Sequence, residues 1–134
     1  MDTHLHAVVE TPEPTLGDGM RRLLGGYAHR FNRRHDRFGH LFAGPFSASL
    51  VETEAYAIEV CVYVVLNPVR AGLVRTARDW VWSSYRATAG LTASFLDTRL
   101  LPGMLHPDPR RARGLYRRLI QEREERVRAL VRSG

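Results

Sequence analysis

The longest uninterrupted apolar run in the chain covers residues 60–66, and it limits the folds that the sequence can adopt. A run of this length is far shorter than the roughly 20 residues that cross a bilayer, so it belongs in a protein core. Its many β-branched residues suit a buried strand, but periodicity alone does not distinguish such a strand from a buried helix segment. The residues on either side of the run are therefore needed to choose between them.

Those neighbours favour a helix. Glu52 and Glu54 suit a helix amino end, where Thr53 can cap the first turn. Pro68 predicts that the helix ends at Asn67, because the residue before a proline is the usual stopping point. Apolar side chains recur with the period of a helix at Ala55, Ile58, Val62 and Val65.

Length and cysteine content predict one domain stabilised by packing alone. The chain has 134 residues, of which 44% are hydrophobic, enough for one compact core and too few for two ordinary domains. Cys61 is the single cysteine, so no internal disulfide can form. The first residues lack the basic start and apolar stretch of a signal peptide. We therefore expect one cytoplasmic domain over residues 1–134.

The charge of the chain predicts a polyanionic partner. The formal net charge is +6, the isoelectric point is near 10.4, and all 20 basic residues are arginine. Arginine binds phosphate through a planar fork of donors, so nucleic acid phosphates and anionic lipid headgroups are the candidates. A genome rich in GC, which favours arginine codons, explains the bias equally well. Basicity alone therefore does not choose the partner.

Hydrophobic patterning predicts an α+β fold. Alternation over residues 3–9 indicates a half-buried strand, and Phe46–Val51 predicts a second strand that would pair with it. Helical spacing predicts a helix from Leu16 to His35 and an amphipathic, basic helix from Pro109 to Arg132 within a basic segment of residues 108–134.

The polar face of the helix that begins at Leu16 is strongly basic. Asp36 is the one acidic residue among its arginines, so contact with phosphates is plausible, whereas an ordinary solvated face is the alternative. The arginines on this face are Arg21, Arg22, Arg30, Arg33, Arg34 and Arg37.

Two pairs of residues have the spacing of a chemical site. His4 and His6 would project from the same face of a strand, roughly 7 Å apart at their Cα atoms, so both imidazoles could bind one metal ion. Tyr63 and Asn67 would share a helix face, with Glu59 one turn earlier. A phenol attacks phosphorus only when a cation or base favours its phenolate. Equally common roles are a packed surface aromatic for Tyr63 and a helix carboxyl end for Asn67.

The order of several short motifs resembles that of a known family, the REP-associated tyrosine transposases of bacteria. The resemblance covers residues 1–85 well and the basic end more loosely, and its most specific part is the stretch that follows Tyr63. The motifs are His4–His6, Phe31–His35, Gly39–Phe42, Leu50–Tyr56, Tyr63–Val74 and Trp80–Tyr85.

The resemblance implies an HUH single-tyrosine nuclease with an antiparallel sheet and packed helices, related to ferredoxin-like domains. It implies that His4, His6 and Asn67 bind Mg²⁺ or Mn²⁺ and that Tyr63 is the nucleophile. Cleavage of single-stranded DNA with hairpins from palindromic repeats would leave a 5′-phosphotyrosine. We expect Arg70, within the tyrosine motif, to contact DNA together with the arginines of the first helix, and the enzyme to act as a monomer or homodimer without a membrane.

The chain also departs from the family pattern. Members usually continue upstream with a strand and a helix, so the resemblance implies a domain that is incomplete at its amino end. Thr3 replaces a common asparagine, and Pro45 and Ala48 occupy positions that are usually basic. The departures suggest an alternative, a domesticated or impaired DNA-binding module that no longer cleaves. A third hypothesis is a phosphohydrolase that uses the histidines and metal without the tyrosine.

Overall fold

The computed structural model describes residues 4–133, and all regular secondary structure within them is helical. A short 3-10 turn at Ala77–Asp79 separates the second and third helices. The helices are α1 (Leu16–Arg34), α2 (Glu54–Arg70), α3 (Tyr85–Thr88), α4 (Leu100–Leu105) and α5 (Pro109–Ser133). Within residues 4–133, no helix has the length and apolar content that crossing a bilayer requires.

The chain divides into two compact units. The core unit comprises residues 1–8 and 51–134, and the α1 unit comprises residues 9–50. The prediction of one functional domain over residues 1–134 stays a prediction.

The predicted antiparallel sheet and ferredoxin-like α+β fold are wrong, because no β-strand forms within residues 4–133. Residues 4–9 and 46–51, the two strand-like segments, are irregular, and Thr3 lies outside the described residues. Leu5 is 78% exposed and Leu50 is 81% exposed. Two short segments that bury so little apolar surface do not stabilise a sheet, since even an intact two-stranded hairpin is marginal in water.

Helix α2 begins as predicted and ends later than predicted. The side-chain oxygen of Thr53 accepts a hydrogen bond from the amide of Tyr56 at 3.2 Å, which caps the amino end. Pro68 lies inside the last turn and does not stop the helix. A proline near a helix end removes one backbone donor, and here the following amides still find carbonyl partners.

A Schellman motif ends α2. The amide of Gly72 bonds to the carbonyl of Val69 at 3.1 Å, and the amide of Leu73 bonds to the carbonyl of Pro68 at 2.9 Å. Gly72 has a φ of 69°, a left-handed conformation that glycine adopts without strain. The helix therefore reaches Arg70, three residues beyond the predicted end at Asn67.

The hydrophobic core of the core unit lies where α2, α4 and α5 pack against one another. Leu66 of α2 is fully buried, and burying a side chain of this size contributes about 2–3 kcal/mol. The core side chains are Val62, Val65, Leu66, Val69, Ala77, Ala89, Leu101, Tyr116, Ile120 and Val127.

A buried carboxylate joins α5 to the 3-10 turn. Oε2 of Glu124 accepts a hydrogen bond from the amide of Ala77 at 2.8 Å, and Oε1 lies 3.5 Å from a guanidinium nitrogen of Arg128. Thr76 and Asp79 form a capping box around the same turn. The carboxylate thus satisfies an orphan helix-end donor, which would otherwise be costly inside a core.

The α1 unit contains no buried residue. Helix α1 is confirmed from Leu16 to Arg34, one residue shorter than predicted. Phe42 lies 6.2 Å from the ring of Tyr27, and Nδ2 of Asn32 donates to the carbonyl of Gly39 at 2.9 Å, so the following loop folds back onto the helix. The predicted carboxyl-terminal helix is also confirmed, as α5.

Candidate active site on helix α2

Three of the predicted site residues lie side by side although the predicted strand is absent. The rings of His4 and His6 meet edge to face with 4.9 Å between centroids. The ring of His6 meets that of Tyr63 edge to face at 6.0 Å. The irregular segment at residues 4–8 therefore brings an imidazole to the tyrosine that the sequence nominated as nucleophile.

Arg70, the last residue of α2, completes this group. Its guanidinium carbon lies 5.5 Å from the centroid of the Tyr63 ring, within the range of a cation–π contact. The ring of Tyr63 therefore contacts one imidazole and one guanidinium. It is also 46% exposed, so solvent still reaches it. A guanidinium this close to an exposed phenol adds positive charge beside the ring, and positive charge attracts phosphate.

The two histidine rings, 4.9 Å apart between centroids, are close enough for one metal ion to reach both, although an edge-to-face contact at this distance is also ordinary ring packing. Within residues 4–133, no group of three or more histidine, cysteine or acidic side chains could hold a metal ion. The remaining ligands would have to be an amide, water or phosphate oxygens.

Asn67 is the amide that the sequence nominated as third ligand. It lies one turn beyond Tyr63 on α2 and is partly buried. The structure joins His4, His6, Tyr63 and Arg70 by ring and cation contacts. Asn67 belongs to this group through its position on the helix, and its role as a ligand stays a prediction.

The sequence did not reveal Arg123 as a neighbour of the site. Arg123 of α5 forms an ion pair with Glu59, which lies one turn before Tyr63 on α2. The two residues are 64 positions apart in the chain, so no local pattern links them. One sequence feature could have pointed to Arg123: it lies on the apolar side of α5, between the core residues Ile120 and Val127.

Burial separates the tyrosines of the core unit into two classes. Burial raises the pKa of Tyr85, and Glu124 adds to this shift while Arg117 and Arg78 oppose it. Burial also raises the pKa of Tyr116, which packs 5.8 Å from Tyr85 in the core. A buried phenol with a raised pKa is a poor nucleophile. Tyr63 and Tyr56 on α2 are the exposed alternatives.

The predicted DNA-binding arginines of the α1 unit are all exposed. Arg21 pairs with Asp18 at 2.9 Å, Arg30 donates to the carbonyl of Gly26 at 3.2 Å, and Arg37 lies over the ring of Phe31. These contacts are weak or local, so the guanidiniums remain accessible to phosphates.

Two of these arginines share one face of α1. Arg22 and Arg33 are eleven residues apart, which on an α-helix places them about 20° apart around the axis and about 16 Å apart along it. Arg33 and Arg34 also lie in the last turn, where positive charge stabilises the helix carboxyl end. The arrangement can contact two phosphates that are several nucleotides apart on a nucleic acid strand.

Comparison with known proteins found no relative of this chain. A scan against protein-family models found no match, and searches of curated proteins and of solved structures found none either.

Proposed function

We propose that this protein is a metal-dependent endonuclease and strand transferase that acts in the cytoplasm on single-stranded DNA with hairpins, as a transposase does. The observation that carries the proposal is the exposed Tyr63, whose ring contacts both His6 and Arg70. A tyrosine with these neighbours can attack a phosphodiester whose charge the guanidinium offsets.

The chemistry is a phosphoryl transfer to tyrosine. A new bond forms between Oη of Tyr63 and phosphorus, and the bond from phosphorus to the 3′ oxygen breaks. The phenolic proton leaves through solvent, and the leaving oxygen becomes a 3′-hydroxyl. The product is a 5′-phosphotyrosine, which a second DNA end can attack to rejoin the strand.

Mg²⁺ or Mn²⁺ held by His4, His6 and Asn67 would offset negative charge on the scissile phosphate. The arginines have two separate roles. Arg70 binds the phosphate next to Tyr63, and the arginines of α1 bind the backbone of the same DNA molecule. The protein works as a monomer or homodimer.

Replacement of Tyr63 by phenylalanine tests the proposal, because it removes only the nucleophilic oxygen. Wild-type protein incubated with a 5′-labelled and a 3′-labelled single-stranded hairpin should give a covalent adduct on a denaturing gel, retaining the 3′ label. Tyr63→Phe should give none. Tyr56→Phe is the matched control, since Tyr56 lies on the same helix and is 52% exposed against 46% for Tyr63. An adduct that survives Tyr63→Phe and disappears in Tyr56→Phe would refute the assignment.

The metal requirement has its own test. Adduct formation should stop in excess chelator and return with Mg²⁺ or Mn²⁺, and His6→Ala should abolish it. His29→Ala is the control, because His29 is an exposed histidine in the α1 unit. Full activity of His6→Ala, or cleavage in chelator, would refute metal-dependent chemistry at this site.

A second candidate function is DNA binding without cleavage. The observation that favours it is the irregular backbone of residues 4–10, which holds the histidines without strand or helix. This candidate predicts hairpin binding that weakens steeply with salt and no adduct under any metal condition. Arg22→Gln together with Arg33→Gln should lower the logarithmic salt slope by about 1.4 for single-stranded DNA. The gel with wild-type protein therefore decides between the two functions.

A further inference from the structure

An open cavity of about 480 Å³ lies in the core unit between the segment that follows α3 and the first half of α5. Its polar lining includes the hydroxyl residues Thr92, Ser94 and Thr98 and the guanidinium of Arg113. Leu91 and Leu96 contribute apolar surface and are 39% and 45% exposed. The cavity thus combines one cation and several hydroxyls with a small apolar wall.

The side chain of Arg113 packs against Gly90 beside this cavity. The φ of Gly90 is 74°, and a Cβ at this position would lie 3.0 Å from Cδ, 3.4 Å from Nη1 and 3.5 Å from Nε of Arg113. The arginine therefore passes directly over the glycine backbone. Glycine adopts this left-handed turn without strain, and any larger residue would also have to push the Arg113 side chain aside by a few tenths of an ångström.

The charge around Arg113 is uncompensated. No ion pair among the side chains described in residues 4–133 involves Arg113. Asp97 is the one acid in the segment of residues 91–99, and it is bonded to Arg99 at 2.7 and 3.0 Å. On α5, Arg110 and Arg117 lie three residues before and four residues after Arg113, so they share its side of the helix.

These features suit a phosphate group, which offers more acceptor oxygens to the guanidinium and the hydroxyls than a carboxylate does. A guanidinium binds phosphate through two parallel hydrogen bonds, and the hydroxyls of Ser94 and Thr98 can donate to further phosphate oxygens, whereas that of Thr92 donates to the carbonyl of Ala93 at 3.4 Å. The cavity is large enough for a mononucleotide, because sites for small molecules start at about 300 Å³. Leu91 and Leu96 offer apolar surface that a base or sugar can cover.

We propose that this cavity binds a phosphate carried by a nucleotide, with Arg113 as its principal contact. The inference rests on the proposed function for the identity of the physiological ligand, a nucleotide of the bound DNA strand away from Tyr63. The phosphate is a diester when it belongs to DNA and a monoester when it belongs to a free nucleotide.

Amide chemical shifts of the full-length ¹⁵N-labelled chain test the proposal. Inorganic phosphate, thymidine monophosphate and a short oligothymidylate are titrated separately. Oligothymidylate and the monophosphate should shift the signals of residues 90–98, and inorganic phosphate should bind at least about tenfold more weakly than either. Equal affinity for all three ligands would overturn the nucleotide assignment, and absence of shifts in residues 90–98 would overturn the site.

Matched arginine variants show whether Arg113 carries the binding. Arg113→Gln should weaken oligothymidylate binding at residues 90–98 about tenfold. Arg118→Gln removes the same charge about 140° around α5, and it should change that affinity less than about twofold. Equal losses in the two variants would show a general charge effect and refute the site. Unchanged thermal unfolding of both variants excludes misfolding as the cause.

Gly90→Ala gives a second measurement that leaves the net charge unchanged. The added Cβ strains the left-handed turn and displaces the Arg113 side chain, so binding at residues 90–98 should weaken at least about threefold. Unchanged binding in a folded Gly90→Ala protein would refute the placement of Arg113.

Tyr63→Phe separates this inference from the proposed function. The variant should bind oligothymidylate in the cavity as the wild type does while forming no covalent adduct. An adduct in wild-type protein without shifts at residues 90–98 would refute the cavity alone. Shifts at residues 90–98 without any adduct would refute the strand transferase alone.

Discussion

The core unit and the α1 unit differ in what holds them together. The core unit buries a continuous cluster of side chains from α2, α4 and α5, including Leu66, Tyr116 and Ile120. In the α1 unit no residue from 9 to 50 is buried. Most of the stability of a helix in a protein comes from packing of its apolar face, so the two units should differ in stability far more than their helix lengths suggest.

The two units also divide the candidate functions. Tyr63, His6 and Arg70 lie in the core unit, where a packed helix fixes the position of the tyrosine. Six arginines of the predicted DNA surface lie in the α1 unit, where phosphate contacts tolerate motion. Chemistry requires fixed geometry, whereas electrostatic attraction does not, so each proposed role suits the unit in which its residues lie.

Hydrogen exchange should give the largest contrast between the units. We expect amides in the middle of α2 and α5 to exchange only through global opening, with protection of about ten-thousandfold or more, and amides of α1 to exchange orders of magnitude faster. Mass spectrometry of peptic peptides measures both in one sample. Equal protection of α1 and α2 would show that burial does not set the difference.

Matched leucine truncations should give the next largest contrast. Leu66→Ala empties a fully buried site and should lower the free energy of unfolding by about 3 kcal/mol. Leu23→Ala, at a position 62% exposed on α1, should change it by less than about 0.5 kcal/mol. Urea denaturation followed by circular dichroism provides the measurement. A cost for Leu23→Ala as large as that for Leu66→Ala would overturn the comparison.

The buried carboxylate of the core unit should give a smaller effect. Glu124→Ala leaves the amide of Ala77 without its acceptor and Arg128 without its partner, and it should cost about 2 kcal/mol. Glu125→Ala, at the adjacent exposed position, is the control and should be nearly neutral. The same denaturation experiment compares them. Equal stability of both variants would show that the Glu124 contact contributes nothing.

A thiol probe should give the smallest contrast. Burial raises the pKa of the Cys61 thiol, so at pH 8 a smaller fraction is thiolate and reaction with a disulfide reagent is slow. Ser47→Cys in a Cys61→Ser background places the only thiol at an exposed position of the α1 unit. It should react about fivefold faster than wild-type Cys61 at pH 8. Because the shift is upward, the pH midpoint of reactivity should be higher for Cys61. Equal rates would contradict this difference.

The sequence predicted the helices well and the sheet wrongly. Periodic apolar positions and caps located α1, α2 and α5 to within a few residues, because a helix is defined by contacts along its own chain. A strand needs a partner, and the alternation in residues 3–9 and 46–51 gave no information about whether one is available. Pro68 misled the prediction of the α2 end, because a proline in the last turn removes only one backbone donor and the helix continues to the Schellman motif at Gly72.

The candidate site was predictable in part. Short motifs nominated His4, His6 and Tyr63, and the structure brings these side chains together. The position of Arg70 over Tyr63 could not be predicted, because it depends on α2 continuing past Pro68. The pairing of Glu59 with Arg123 joins two helices, and only the tertiary structure reveals such a pair.

The left-handed turn at Gly72 links the end of α2 to the chemistry proposed for Tyr63. The hydrogen bonds at Gly72 hold the last turn of α2 in helical conformation. Arg70 therefore stays at the position from which its guanidinium reaches the Tyr63 ring. Any other residue at this position would have to adopt an unfavourable φ at a cost of about 1 kcal/mol, and the helix end would fray. A glycine outside the candidate site would thereby control how often that site is assembled.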